Sequence, residues 1–113
     1  MADELPILAA WIDFLGWLLP ATEAFPHKAR FTFSQRLHNL ALDVVEDLVE
    51  ARYTRDKLPV LRRANLRLEK IRVLLGLARQ HRHLAARQHE FAARRLWEIG
   101  SMLGGWRKQQ ERR

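Results

Sequence analysis

Apolar and polar positions alternate along this chain with a helical period, most clearly across 58–80. There Leu61, Ala64, Leu68, Ile71, Leu75 and Ala78 recur at steps of three and four, which keeps them on one face of a helix. At about 100° per residue, a second, narrower stripe of Leu66, Val73 and Leu77 lies almost opposite, with Arg63, Arg67 and Lys70 along a flank between the two. A helix apolar on two sides is either sunk deep in its own bundle or packs two ways, one stripe into the core and the other against another subunit. The stretch 33–54 repeats the design. Leu37, Ala41, Val44, Leu48 and Ala51 form a core stripe and Leu42, Val49 and Tyr53 an offset one, while Asp43, Glu46, Asp47 and Glu50 make a continuous acidic face.

The remaining pattern adds two helices. Residues 85–106 place Ala85, Ala92, Leu96, Ile99, Leu103 and Trp106 toward the core, with Phe91 and Met102 beside them, Arg87, Glu90, Arg94 and Glu98 outward and Trp97 on the outer side. Residues 5–19 are apolar nearly all round, with Trp11, Phe14 and Trp17 among the aliphatics, so this helix docks against the bundle or into a neighbouring subunit. Its 15 residues are fewer than the roughly 20 that span a bilayer, and the acidic lead 1–4 is unlike a signal peptide. Pro20 to Phe31 carries two prolines and no period and reads as the longest connector. Thr32 followed by Gln35 fits a capping box that starts the second helix near Phe33. A polar turn, Thr54 to Lys57, precedes Pro59 in the first turn of the third helix. His81, Arg82 and His83 read as a tight turn, Gly104 and Gly105 as loosening the end of the fourth helix, and 107–113 as a frayed polar tail. The expected fold is therefore all-α, a single up-down-up-down four-helix bundle.

Charge changes this picture. The net charge of +7 divides unevenly: residues 1–54 hold 4 Lys/Arg against 8 Asp/Glu, net −4, and residues 55–113 hold 16 against 5, net +11. Sixteen of the 20 basic residues are arginine, whose planar fork suits phosphate. Arg62, Arg63, Arg67, Lys70, Arg72, Arg79, Arg82, Arg87 and Arg94 outnumber the acids Glu69 and Glu90 within their span, and uncompensated cations attract a polyanion. These nine are the candidate nucleic-acid-binding residues. Replacing Arg63, Arg67 and Lys70 by glutamine is expected to weaken RNA binding and keep the fold. The excess apolar stripes predict an oligomer whose interface draws on Leu42, Val49, Tyr53, Leu66, Val73, Leu77, Trp97 and the aromatics Trp11, Phe14 and Trp17.

Chemistry is sparse. Without cysteine there is no disulfide, zinc–thiolate site or thiol nucleophile, and a cytoplasmic location fits. The four carboxylates of the second helix invite a di-metal reading, but no Glu is followed by His at the i, i+3 spacing of such sites, so a solvated face, or pairing with arginines of a neighbouring helix or subunit, is preferred. His81, His83 and His89 lack carboxylate or thiolate support for zinc and read as surface histidines. No catalytic residue, metal or cofactor is expected, since no nucleophile stands at a meaningful spacing from a His and an acid and no phosphate loop is present.

Trp11-Ile12-Asp13-Phe14-Leu15, Phe25-Pro26, Asn39-Leu40-Ala41-Leu42-Asp43, Glu50-Ala51-Arg52-Tyr53, Arg63-Ala64-Asn65-Leu66, Leu68-Glu69-Lys70 and Ile99-Gly100-Ser101-Met102-Leu103-Gly104-Gly105-Trp106 together resemble the Avd proteins, accessory variability determinants of diversity-generating retroelements. These belong to a wider set of bacterial four-helix-bundle proteins first noticed in intervening sequences of 23S ribosomal RNA genes. The resemblance implies a homopentameric barrel that binds the retroelement's reverse transcriptase and its template RNA or cDNA and supports mutagenic copying of a template repeat. Within the same fold the alternative is a stand-alone RNA-binding protein tied to those intervening sequences. A purely structural oligomerisation module is the alternative of another class.

Overall fold

The computed structural model describes residues 4–112; the acidic lead at 1–3 and Arg113 lie outside the described residues. Four helices make the body: α1 (Glu4–Glu23), α2 (Gln35–Tyr53), α3 (Leu58–Gln80) and α4 (Ala86–Glu111). Each packs on the next in chain order, and α1 also packs on α4, so the four enclose one core in an elongated molecule of 46 × 23 × 19 Å. No described helix is long and apolar enough to cross a membrane.

The core stripes are those the periodicity predicts. Leu37, Ala41, Val44, Leu48 and Ala51 of α2 and all six apolar positions of the main α3 stripe are buried, as are Ala92, Leu96, Ile99, Leu103 and Trp106 of α4. Ala85 is the exception: it precedes α4 as its N-cap and is exposed, with its N–H donating to Gln88 Oε1 at 3.0 Å. The first helix also differs from expectation, because it is not buried all round. Ile7, Trp11, Phe14, Leu15 and Leu18 face the core, whereas Asp13 and Gly16 are exposed and Ile12 keeps 54% of its surface open. Trp11 is fully enclosed and donates its Nε1–H to the Ala41 carbonyl at 2.9 Å, satisfying the one polar atom of an otherwise apolar side chain. Trp11 and Phe14 therefore have no surface to offer a partner subunit. Trp17 is half-buried and bridges α1 to α4, with ring centroids 5.8 Å from Phe14 and 4.9 Å from Phe91.

The connector expected over Pro20 to Phe31 is mostly helical. α1 continues through Pro20 to Glu23, because the carbonyl that proline leaves unbonded belongs to exposed Gly16, where water can serve it. A 3-10 turn (His27–Ala29) and a π turn (Arg30–Ser34) then lead directly into α2, with Phe25 and Ala29 buried against the bundle. The expected Thr32/Gln35 capping box does not form, since helical turns precede Gln35 and leave no bare helix start; Thr32 Oγ1 instead donates back to the Ala29 carbonyl. Buried Thr22 and Ser34 close the junction. Ser34 Oγ donates to the Thr22 carbonyl at 2.7 Å, and Thr22 Oγ1 lies 3.0 Å from the Leu18 carbonyl and 2.6 Å from His38 Nε2, within hydrogen-bond reach of both.

Both tight turns are closed by cationic residues. Lys57 Nζ donates to the carbonyls of Ala51 at 2.6 Å and Thr54 at 2.9 Å, capping the end of α2 ahead of Pro59. At the end of α3, Arg82 takes φ 62° in the left-handed region; its N–H reaches the Arg79 carbonyl and that of His83 the Ala78 carbonyl, the paired bonds of a Schellman motif. At the other terminus, Gly104 and Gly105 do not loosen α4, and of the expected frayed tail 107–113 the residues 107–111 are helical, with Arg113 outside the described residues. The helix runs on to Glu111, because every residue there can hold helical geometry and Trp106 anchors it in the core.

Candidate nucleic-acid interface

The nine candidate cations divide into two groups. Asp47, at the third position after Val44 and the fourth before Ala51, lies on the core side of the acidic stripe and is 2% exposed. Arg67 from α3 closes on both its oxygens at 2.6 Å, and Arg63 Nε donates to Oδ1 at 2.8 Å. Arg63 also reaches Glu50 at 2.8 Å, and Arg67 lies 3.9 Å from Asp43. The acidic face thus pairs with the neighbouring helix. Hydrogen bonds to Asp47 first and to Glu50 second raise the Arg63 pKa above its ordinary value. Arg72 is bound by Glu69 of its own helix. The sequence count of uncompensated cations is corrected accordingly: α2 supplies the acids that the span from α3 to α4 lacks, and Arg63 and Arg67 are structural cations. Arg62, Lys70, Arg79, Arg82, Arg87 and Arg94 have no ion-pair partner among the described residues, and all six are exposed.

Folding also relocates the charge. The positive half of the sequence does not become a positive side of the molecule, because α2 pairs with α3. Folding leaves one end without acids. No Asp or Glu occurs from residue 24 to 42 or from 70 to 89, and these two stretches meet where the α1–α2 connector packs on the α3–α4 turn. Phe33 lies 6.0 Å from the His81 ring and 5.2 Å from that of His83, and Phe25 lies 5.9 Å from His83. Lys28, Arg30, Arg36, Arg79, Arg82 and Arg87 belong to the same two segments, within one turn of a helix end or between helices. All five histidines of the chain, 27, 38, 81, 83 and 89, fall in the same region. Reading the chain linearly missed Phe31, which was assigned to a featureless loop: it is 72% exposed at this end, beside a groove of about 490 Å³ lined by Arg30, Ser34, Gln35, His38 and Asn39, with Glu23 as its acid.

The second stripes are exposed as the spacing predicts. Leu42, Val49 and Tyr53 on α2, Leu66, Val73 and Leu77 on α3 and Trp97 on α4 each keep between 39% and 79% of their surface open. Leu66 and Val73 line a groove of about 730 Å³ between α2 and α3, together with Leu40 and Leu74, and with Arg36, Asp43, Glu69 and Lys70. No group of three or more His, Cys, Asp or Glu among the described residues could hold a metal ion.

This arrangement offers charge, exposed apolar grooves and the bare aromatics Phe31, Tyr53 and Trp97, the means of binding. Comparison with curated proteins and with solved structures returned no match. The model of one family, described as bAvd-like, matches residues 7–110, nearly the whole of the four-helix body. The chain belongs to the bAvd-like family.

Proposed function

We propose that this protein is a non-catalytic accessory subunit of a diversity-generating retroelement, which binds the element's reverse transcriptase and its template RNA or cDNA and supports mutagenic copying of the template repeat. The observation that carries this reading is an unneutralised cationic surface on a chain of the bAvd-like family. Chemistry would belong to the polymerase; this chain would hold template, primer and enzyme together in the cytoplasm. The bundle runs up-down-up-down and closes into a homopentameric ring. Support for a ring comes from exposed apolar residues that are unlike one another, Leu66 and Val73 in the groove between α2 and α3, and Trp97 on α4 and Ile12 on α1. Contact between unlike surfaces is head-to-tail, and such contacts close into a ring where the rotation between neighbours completes a circle.

The test is RNA binding across a salt series, joined to co-purification with the reverse transcriptase encoded beside the gene. Affinity falls steeply with salt, and replacing Arg79, Arg82 and Arg87 by glutamine flattens the log–log slope by about 0.7 per lost contact on single strands. A wild-type protein with no RNA affinity at physiological salt would be an oligomerisation module instead. RNA binding with no neighbouring reverse transcriptase gene or imperfect repeats would favour the stand-alone relative.

A further inference from the structure

We propose that the acid-free end of the bundle is a docking site for single-stranded polynucleotide, in which Arg30, Arg79, Arg82 and Arg87 hold phosphates and Phe31 stacks on a base. The inference rests on the RNA-binding reading above and assigns it a place and a mode.

Four observations converge on this end. Its two stretches carry cations with no carboxylate between them; Glu23 and Glu90, at their margins, are the acids nearest in sequence. Elsewhere on α3, Arg63, Arg67 and Arg72 are met by Asp43, Asp47, Glu50 or Glu69, and Arg62 and Lys70 are left as isolated cations with acids on the same faces. Phe31 is the most exposed phenylalanine of the described residues, next to Arg30 and two positions from inward-facing Phe33. An aromatic face beside cations is the platform on which unstacked bases sit. It stands in a π turn, a rare geometry that is frequent at functional sites. Finally, position 82 has a backbone that favours glycine, and the chain places arginine there, accepting strain that keeps a guanidinium at the tip of the turn.

The adjoining groove explains the preference for bases over bare phosphate. Gln35 and Asn39 line it and can hydrogen-bond the edges of an unpaired base, while an A-form duplex conceals those edges.

The experiment measures binding of the full chain to a labelled single-stranded RNA, the matching DNA strand, duplex RNA, inorganic polyphosphate and polyglutamate. Phe31→Ala weakens both single strands by about tenfold, the scale of one lost stacking contact, and leaves duplex and polyphosphate unchanged. Arg82→Gly, compatible with the turn, weakens every polyanion and lowers the salt slope. Arg55→Gln and Lys108→Gln, outside the two acid-free stretches, change little. Equal RNA and DNA affinities would identify the common strand chemistry as the ligand; an RNA preference would assign the 2′-hydroxyl a part. Both support the site. Unchanged single-strand binding in Phe31→Ala with loss in Arg55→Gln and Lys108→Gln would overturn it while leaving RNA binding intact, and polyglutamate bound as tightly as RNA would overturn it by making this end a protein dock. Absence of any RNA binding by the wild type would overturn this inference and the broader reading together.

Discussion

Asp47 shows how one side chain changes the meaning of two others. It is enclosed, whereas the side chains of its partners Arg63 and Arg67 keep 43% and 26% of their surface in contact with water. Removing the acid lets both arginines turn outward; removing the arginines strands a buried carboxylate. Asp47→Ala should therefore cost about 1–3 kcal/mol, and Arg63→Met with Arg67→Met about 3–5 kcal/mol, with much of the latter restored by adding Asp47→Leu. Urea denaturation of the four proteins checks this order, and a double arginine variant as stable as wild type would contradict it. The expectation that Arg63, Arg67 and Lys70 can be replaced without harm to the fold is corrected for the same reason. The raised pKa of Arg63 means that its pairing stabilises the fold wherever Asp47 and Glu50 are ionised and, on the alkaline side, is lost only as pH rises through the raised guanidinium pKa. From sequence, the acidic stripe was legible, and so was its pairing with arginines as one of two options. The burial of Asp47 was written in its spacing from Val44 and Ala51, but the charge pattern of the surrounding face concealed it.

At the scale of elements, periodicity located the interiors of all four helices, and their ends were the harder part. Tertiary contacts set those ends: Phe25 and Ala29 pull the connector into helical turns against the bundle, and Trp106 carries α4 past two glycines. A Cβ added at Gly104 or Gly105 meets nothing within 4 Å. Gly104→Ala should thus raise stability by about 0.5–1 kcal/mol, the ordinary gain of alanine over glycine inside a helix. If the chain frayed beyond Trp106, the substitution would leave the unfolding midpoint where it was. The connector resisted sequence reading because prolines suggested a break, while the local remedy, a proline whose unbonded carbonyl faces water, depends on which side of α1 is exposed.

For the whole molecule, the second stripes predicted from spacing are open surface, and Leu66 and Val73 at 54% and 61% exposure form an apolar groove wall that a lone chain leaves wet. Leu66→Glu with Val73→Glu should reduce the assembly to a single 13.3 kDa chain without loss of helicity. Light scattering reads this directly, and a wild-type protein already of that mass at micromolar concentration would remove the proposed ring. The site was less legible than the fold. Composition showed a cationic half, but only the pairing of α2 with α3 reveals which arginines are spent on carboxylates, and only the meeting of the connector with the α3–α4 turn reveals an end of the 46 Å rod without acids. That gives the rod two unlike ends. In the proposed ring, rods inclined toward the axis would give two unlike rims. Such a ring would be a directional object, able to present one rim to a nucleic acid strand and the other to a protein, with the order of contact fixed by which way it faces.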